Sequence, residues 1–321
     1  MNGTAMSDTK FRLVTRSDFD GLVCGVLLRE LDLIDEIKFV HPKDMQDGVV
    51  PITARDIVTN LPYVEGCHLA FDHHASEVTR AGGRAHPNHV IDPAAPSAAR
   101  VVYDYYGGPA AFPRVRADLM AAVDKADSAQ FTQDEILDPQ GWVLLNFIMD
   151  SRTGLGRFRD FRISNYDLMM QLIERCRDRP VEEVLALPDV RERVDLYLAH
   201  RERFVEQVRR CTTVHGKLAL IDLRSEEVIY AGNRFMIYAL FPECDISAHV
   251  LWGLRQQNTV FAIGKSILDR GSPVDVGAVC LGFGGGGHKA AGTCQVPNEQ
   301  AEGVKAKLIA VLSGPPSQAA A

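Results

Sequence analysis

Two carboxylates spaced by one residue, and further on a carboxylate followed by two imidazoles, are the first groups in this 321-residue chain that invite a chemical reading. Asp18 and Asp20 stand in Asp18-Phe19-Asp20-Gly21, directly after the short apolar run of residues 11–15. In extended backbone, residues two apart project to the same side, so the two carboxylates present themselves together. The alternative is that Asp20 only caps the helix that follows. Asp72-His73-His74 ends a second apolar run, residues 68–71. That trio is a hard-to-borderline ligand set suited to manganese, iron or cobalt. Asp127 closes a helical stretch, with Asp124 one turn earlier. Either is a candidate ligand or a solvated helix-end charge.

A different chemistry is suggested near the C-terminus by four successive glycines, residues 284–287, followed by His288 and Lys289. A flexible linker would not be set between two apolar runs. Glycine lets backbone approach a ligand and aim successive amides at one oxyanion. The segment therefore reads as an anion-binding loop, to which His288 and Lys289 add donors and charge.

The elements that must position these groups follow from periodicity. Residues 11–15, 37–40, 56–61 and 68–71 read as strands, and 21–33, 98–106 and 116–126 as helices. Such alternation predicts an α/β fold with a mainly parallel sheet covered by helices. Residues 164–210 are helical and charged, with a break near Leu187-Pro188. A second mixed α/β pattern begins at Lys217, with strands at 218–223, 248–254 and 260–265, helices near Phe235 and Val276, and a last helix over 302–312. The expected organisation is a metal-binding domain over 1–163, a helical connector over 164–210, a smaller substrate-binding domain over 211–313 and a disordered tail over 314–321.

Composition narrows the function classes. The chain is 46% hydrophobic and 24% charged, with a formal charge of −7. That balance argues against coating long nucleic acid, which needs net counterion release by Lys and Arg. It fits a chain that spends carboxylates on a divalent cation. No segment approaches the roughly 20 apolar residues of a membrane span, and the N-terminus lacks the apolar run of a secretory signal. Seven cysteines without a C-x-x-C pair suit reduced thiols in a cytoplasm.

Taken in order, these pieces resemble the DHH phosphoesterase family with its DHH-associated C-terminal domain. Asp18-x-Asp20 is similar to the family's first motif, Asp72-His73-His74 to the motif that names it, Asp127-Ser128-Ala129-x-Phe131 to the fourth, and Gly285-Gly286-Gly287-His288 to the glycine-rich signature. The resemblance implies a cleft between two domains, with one or two Mn2+ ions (Mg2+ or Co2+ as substitutes) on Asp18, Asp20, His73 and Asp127. It implies a small phosphate-bearing substrate: a short single-stranded oligonucleotide, a nucleoside bisphosphate, a dinucleotide, polyphosphate or pyrophosphate. Asn60 stands where the family's second motif carries a metal-bridging aspartate, and Arg16 and Val14 stand where many members place a histidine. Asp56 lies at the wrong end of its strand to replace Asn60.

In the reaction so implied, water activated by the cation attacks phosphorus. Asp72 orients a histidine or the nucleophile, and His74 faces the phosphate. Lys265-Ser266 resembles an Arg-Ser pair that grips a terminal phosphate, with Arg270 nearby. Arg152, Arg157, Arg159 and Arg162 are candidates to receive a longer polyanion, and Phe235, Tyr238 and Phe283 for base stacking, with core packing the plainer reading. The competing functions are a family member that binds a nucleotide or polyphosphate as a sensor, and a metal hydrolase of a non-phosphate substrate. Oligomeric state is left open.

Overall fold

The structure, a computed structural model, describes residues 10–74, 77–78, 84–158 and 160–314. The chain divides into two compact units. The first runs to Gln130 and includes Gln140–Ser151 and Gly156–Asp195; the second takes Phe131–Pro139, Arg152–Leu155 and the chain from Leu196 onward.

Five parallel strands form the sheet of the first unit: β1 (Phe11–Thr15), β2 (Ile34–Phe39), β3 (Asp56–Thr59), β4 (Leu69–Asp72) and β5 (His89–Ile91), in the order β2-β1-β3-β4-β5. Leu13, Val14, Ile57, Val58, Ala70 and Phe71 are almost wholly buried, as the apolar runs of a sheet covered on both faces require. Register sets Thr15 opposite Thr59 and Thr59 opposite Phe71, so the carboxyl ends of β1, β3 and β4 are level. The Thr59 hydroxyl donates to Thr15 Oγ1 at 2.8 Å, and Thr15 Oγ1 donates to the Thr59 carbonyl at 3.1 Å. This buried pair clamps the two strand ends.

Helix α1 (Phe19–Glu30) is buried from Phe19 to Leu28, so it reads apolar almost all round. Full burial of Leu22, Leu27 and Leu28 contributes about 1.5–3 kcal/mol each. After α2 (Pro42–Gln46), helices α3 (Ala98–Tyr105) and α4 (Ala117–Asp127) pack against α1. Helices α5 (Gln133–Leu137), α6 (Gly141–Met149), α7 (Asn165–Arg175), α8 (Val181–Leu185) and α9 (Pro188–Cys211) follow, with the predicted break preceding Pro188. The helical stretch predicted as a connector is shared: residues up to Asp195 pack with the first unit and Leu196 onward with the second.

The second unit holds a six-stranded mixed sheet of β6 (Thr212–His215), β7 (Leu218–Asp222), β8 (Ile246–Trp252), β9 (Thr259–Lys265), β10 (Gly286–His288) and β11 (Ala291–Val296), in the order β10-β11-β9-β8-β7-β6. Helices α10 (Met236–Leu240), α11 (Val276–Leu281) and α12 (Ala301–Leu312) complete it. Leu220, Val250, Phe261, Cys280 and Leu308 lie in its core, with Phe283 packed against them. Phe235 and Tyr238 are buried as well, so all three aromatic candidates pack inside. Four strands, β5, β6, β10 and β11, had no sequence signal. All seven cysteines are free thiols. Among the described residues, no helix is long and apolar enough to cross a membrane.

Candidate active site

Three chain segments leave the level carboxyl ends of β1, β3 and β4 carrying Asp18-x-Asp20, Asn60 and Asp72-His73-His74. The helix cap here is Asp18, whose Oδ1 accepts from the Gly21 amide at 3.0 Å. That leaves Asp20 for other work. Gly21 is required by a close approach: a Cβ there would sit 2.0 Å from the Arg16 carbonyl oxygen and 2.8 Å from Thr15 Oγ1.

Asp20 is 2% exposed and is held by the N-terminus of α3, with the Ala98 amide 3.0 Å from Oδ2 and the Ala99 amide 2.7 Å from Oδ1. A helix N-terminus favours an anion. Burial nevertheless pushes the Asp20 carboxyl well above the usual carboxylate range, helped by Asp127 and Asp18 and opposed by His73. Ser97 caps α3 and donates to Asp124, which also accepts from Arg100 at 3.0 Å. Asp124 is therefore a strut that fixes α3 to α4. Asp127, one turn on, is the member of the pair that reaches the site.

His73 Nδ1 lies 3.2 Å from the Ala95 carbonyl, which can only accept, so Nδ1 carries a proton. Nε2 then faces Asp127 Oδ2 at 2.8 Å. The contact is short, yet Nε2 makes no well-directed hydrogen bond. Burial alone would lower the His73 pKa, but Asp127, Asp20 and the Ala95 carbonyl outweigh it and raise it to about 9. Donor atoms of Asp20, His73 and Asp127 all lie within 4.8 Å of one another. An O,N,O donor set whose two carboxylates repel each other fits a divalent cation, and two buried oxygens without hydrogen-bond partners, Asn60 Oδ1 and Asp72 Oδ2, follow or end the neighbouring strands.

Asp72, 1% exposed, accepts at Oδ1 from the His73 amide at 2.8 Å, and the same oxygen lies 2.7 Å from His74 Nδ1. His74 is thus oriented by Asp72 and remains about a third exposed. Asn60 adopts a left-handed φ of 54° and turns its Nδ2 toward Asp18, 3.1 Å from Oδ1. Arg16 Nε lies 3.0 Å from Asp18 Oδ2. Asp18 therefore bonds both to Asn60 and to Arg16, beside the trio. Asp56 pairs with Arg12 at 2.6 Å at the opposite end of the sheet. Arg16, Ser97 and the α3 amides are the participants that sequence reasoning missed. Ser97 carried a helix-cap signal, but nothing showed that the capped helix faces Asp20.

In the second unit Gly284 and Gly285 lead into β10, an edge strand paired with β11, and Gly286 and Gly287 lie in it, so the segment is not wholly an irregular loop. A Cβ at Gly285 would lie 2.1 Å from the Thr293 carbonyl oxygen, and one at Gly287 2.3 Å from that of Ala291. At Gly286 nothing lies within 4 Å. Two glycines serve packing, and one leaves exposed backbone. Lys265 bonds through its amide to the Ala290 carbonyl, which puts Lys265-Ser266 next to the turn after His288. Lys265 Nζ donates to the Ser272 carbonyl at 2.9 Å, Ser266 Oγ accepts from the Leu268 and Asp269 amides, and exposed Arg270 donates to the Ile267 carbonyl at 3.3 Å. Of the arginine cluster, Arg162 pairs with Asp189 at 3.5 Å, Arg152 and Arg157 are exposed, and Arg159 lies outside the described residues.

No protein-family model matches the chain, and no curated protein matches it. Among solved structures it is similar to the pGpG-specific phosphodiesterase PggH from Vibrio cholerae, with 59% identity over 94% of this chain and 99% of that one, at a TM-score of 0.82. RecJ from Thermus thermophilus in complex with Mn2+ shares the fold at 14% identity and TM-score 0.54, this chain spanning 96% of its own length and 52% of RecJ. CDC45 from Entamoeba histolytica shares it at 9% identity and TM-score 0.50, over 96% of each chain. The motifs fall in family order on a matching fold, and the identity to PggH spans nearly both chains. The chain belongs to the DHH phosphoesterase family and is a metal-dependent phosphohydrolase.

Proposed function

We propose that this protein hydrolyses the phosphodiester of a short linear dinucleotide, pGpG in the first instance, with Mn2+ as its working ion. The observation that carries this reading is the 59% identity to a pGpG-specific phosphodiesterase over nearly the whole of both chains. Water adds to phosphorus, the 3'-oxygen leaves with a proton, and pGpG yields two molecules of GMP. Asp20, His73 and Asp127 would hold the ion. When bound, the ion polarises the phosphoryl oxygens and lowers the pKa of the attacking water. His74 would donate to a phosphoryl or leaving oxygen, a role supported by its contact with Asp72 and its partial exposure. In the second unit, Lys265, Ser266, Arg270, Gly285, Gly286, Gly287 and His288 would be the candidates to bind a phosphate group. Free thiols throughout suit a cytoplasmic setting.

The test is a substrate panel of pGpG, other linear dinucleotides, 3'-phosphoadenosine 5'-phosphate, short polyphosphate and pyrophosphate, offered to chelator-stripped protein with Mn2+ restored. Release of GMP from pGpG, lost in Asp20→Ala, is the expected result. Turnover of polyphosphate or pyrophosphate in preference to any dinucleotide overturns the substrate. Tight binding of pGpG without cleavage makes the protein a sensor.

A further inference from the structure

We propose that Arg16 takes the place of a second metal ion: the chain holds one divalent cation, on Asp20, His73 and Asp127, and Arg16 supplies the second positive centre that meets the substrate phosphate. The substrate half of this proposal rests on the phosphodiesterase reading above; the metal half does not.

Asp18 is saturated by the protein itself. Its Oδ1 accepts from the Gly21 amide at 3.0 Å and from Asn60 Nδ2 at 3.1 Å, and its Oδ2 lies 3.0 Å from Arg16 Nε. A carboxylate engaged by two amides and a guanidinium has little left for a cation. Asn60 is neutral and turns its donor toward Asp18, so it brings no negative charge with which to bridge a second ion. The clustered donor atoms accordingly come from Asp20, His73 and Asp127, without Asp18.

Charge balance points the same way. Asp18 is engaged by Arg16 and Asp72 by His74, which leaves Asp20 and Asp127 as the two carboxylates that face one divalent ion. A second divalent ion would sit beside the fixed Arg16 charge in a partly buried site, where like charges repel strongly. Arg16 is also anchored, because Gly21 packs directly against its carbonyl oxygen. Its side chain is 38% exposed, and using Nε on Asp18 leaves its terminal amino groups for an incoming anion. A guanidinium so presented binds two phosphate oxygens with a geometry no ammonium reproduces.

The experiment reads stoichiometry first. Full-length, chelator-stripped protein is titrated with MnCl2, and free Mn2+ is followed by electron paramagnetic resonance, with no substrate present. Wild type is expected to take up one equivalent per chain and to show no signal from coupled Mn2+ pairs. The double variant Arg16→His with Asn60→Asp is expected to take up two; the left-handed backbone at residue 60 is one that aspartate tolerates. Arg16→Gln should keep one equivalent and its affinity, while KM for pGpG rises about tenfold or more, the scale of a hydrogen bond to a charged group. Arg16→Lys should recover part of that loss. Two equivalents in wild type, one in the double variant, or unchanged KM and kcat in Arg16→Gln each overturn the proposal. A chain that binds one ion but cleaves no dinucleotide overturns the substrate reading alone.

Discussion

The carboxyl edge of the first sheet and the glycine strand of the second sheet are built on opposite principles. At the first, chemistry is carried by buried charged side chains whose cost of burial is met by neighbours: the α3 amides on Asp20, the Ala95 carbonyl on His73, and the backbone amides on Asp72. At the second, side chains are removed so that backbone can pack and be exposed, as Gly285 and Gly286 show on either side of one peptide bond. The lesson is that the carboxylate edge depends on charge and the glycine strand on shape. The two should therefore fail differently when altered.

The largest effect is expected at Asp20. Asp20→Ala removes a ligand and the anion that faces the α3 N-terminus, so Mn2+ uptake measured by dialysis and GMP release should both disappear. His74→Ala should leave Mn2+ uptake intact and slow turnover by roughly 10²–10⁴-fold, the range for loss of a general acid or base. If it abolishes metal uptake instead, His74 is a ligand and the division of labour with His73 is wrong. Asp72→Asn should cost about 10–100-fold, as outer-shell partners do, and should do so by freeing His74.

The pH dependence of Mn2+ affinity sharpens the contrast further. In the metal-free chain, neighbouring carboxylates raise His73 to about 9, and that proton must leave before Nε2 can bind an ion. Affinity should therefore climb with pH, by roughly tenfold per unit for one released proton, and level off near 9. The raised Asp20 carboxyl acts in the same direction, because it too must be ionised. A flat profile between pH 6 and 8 in a calorimetric titration would remove His73 from the site.

The smallest effects belong to the glycine strand. Gly285→Ala meets the Thr293 carbonyl and should destabilise the protein by about 1–3 kcal/mol, read as a lower Tm. Gly286→Ala meets nothing and should leave Tm unchanged while raising KM modestly. Equal behaviour of the two variants would erase the distinction between packing and exposed glycines.

Much of this was legible beforehand. The apolar run of residues 11–15 is β1 without change, and the parallel sheet follows from strands alternating with helices. β5 escaped because it is three half-buried residues, too few for any period to show. β10 escaped because glycine carries no side-chain pattern, and its strand character comes wholly from pairing with β11. The motif Asp18-x-Asp20 suggested two carboxylates presented together; in the fold Asp18 caps a helix and Asp20 lies with His73 and Asp127 in a group that could hold an ion.

Sequence by itself determined the family, the class of chemistry and the presence of Asp20, His73 and Asp127, since residue type and order along the chain suffice for these. It determined as well that Asn60 and Arg16 depart from the family pattern. Tertiary structure decided which carboxylates share a point in space, how Asp124 differs from Asp127, and that Asn60 and Arg16 both turn to Asp18. The reason is physical: a side chain's reactivity is set by groups within a few ångströms, and Asp20 meets Ala98 and Ala99 across 78 and 79 residues of chain. No local pattern encodes contacts at such separation.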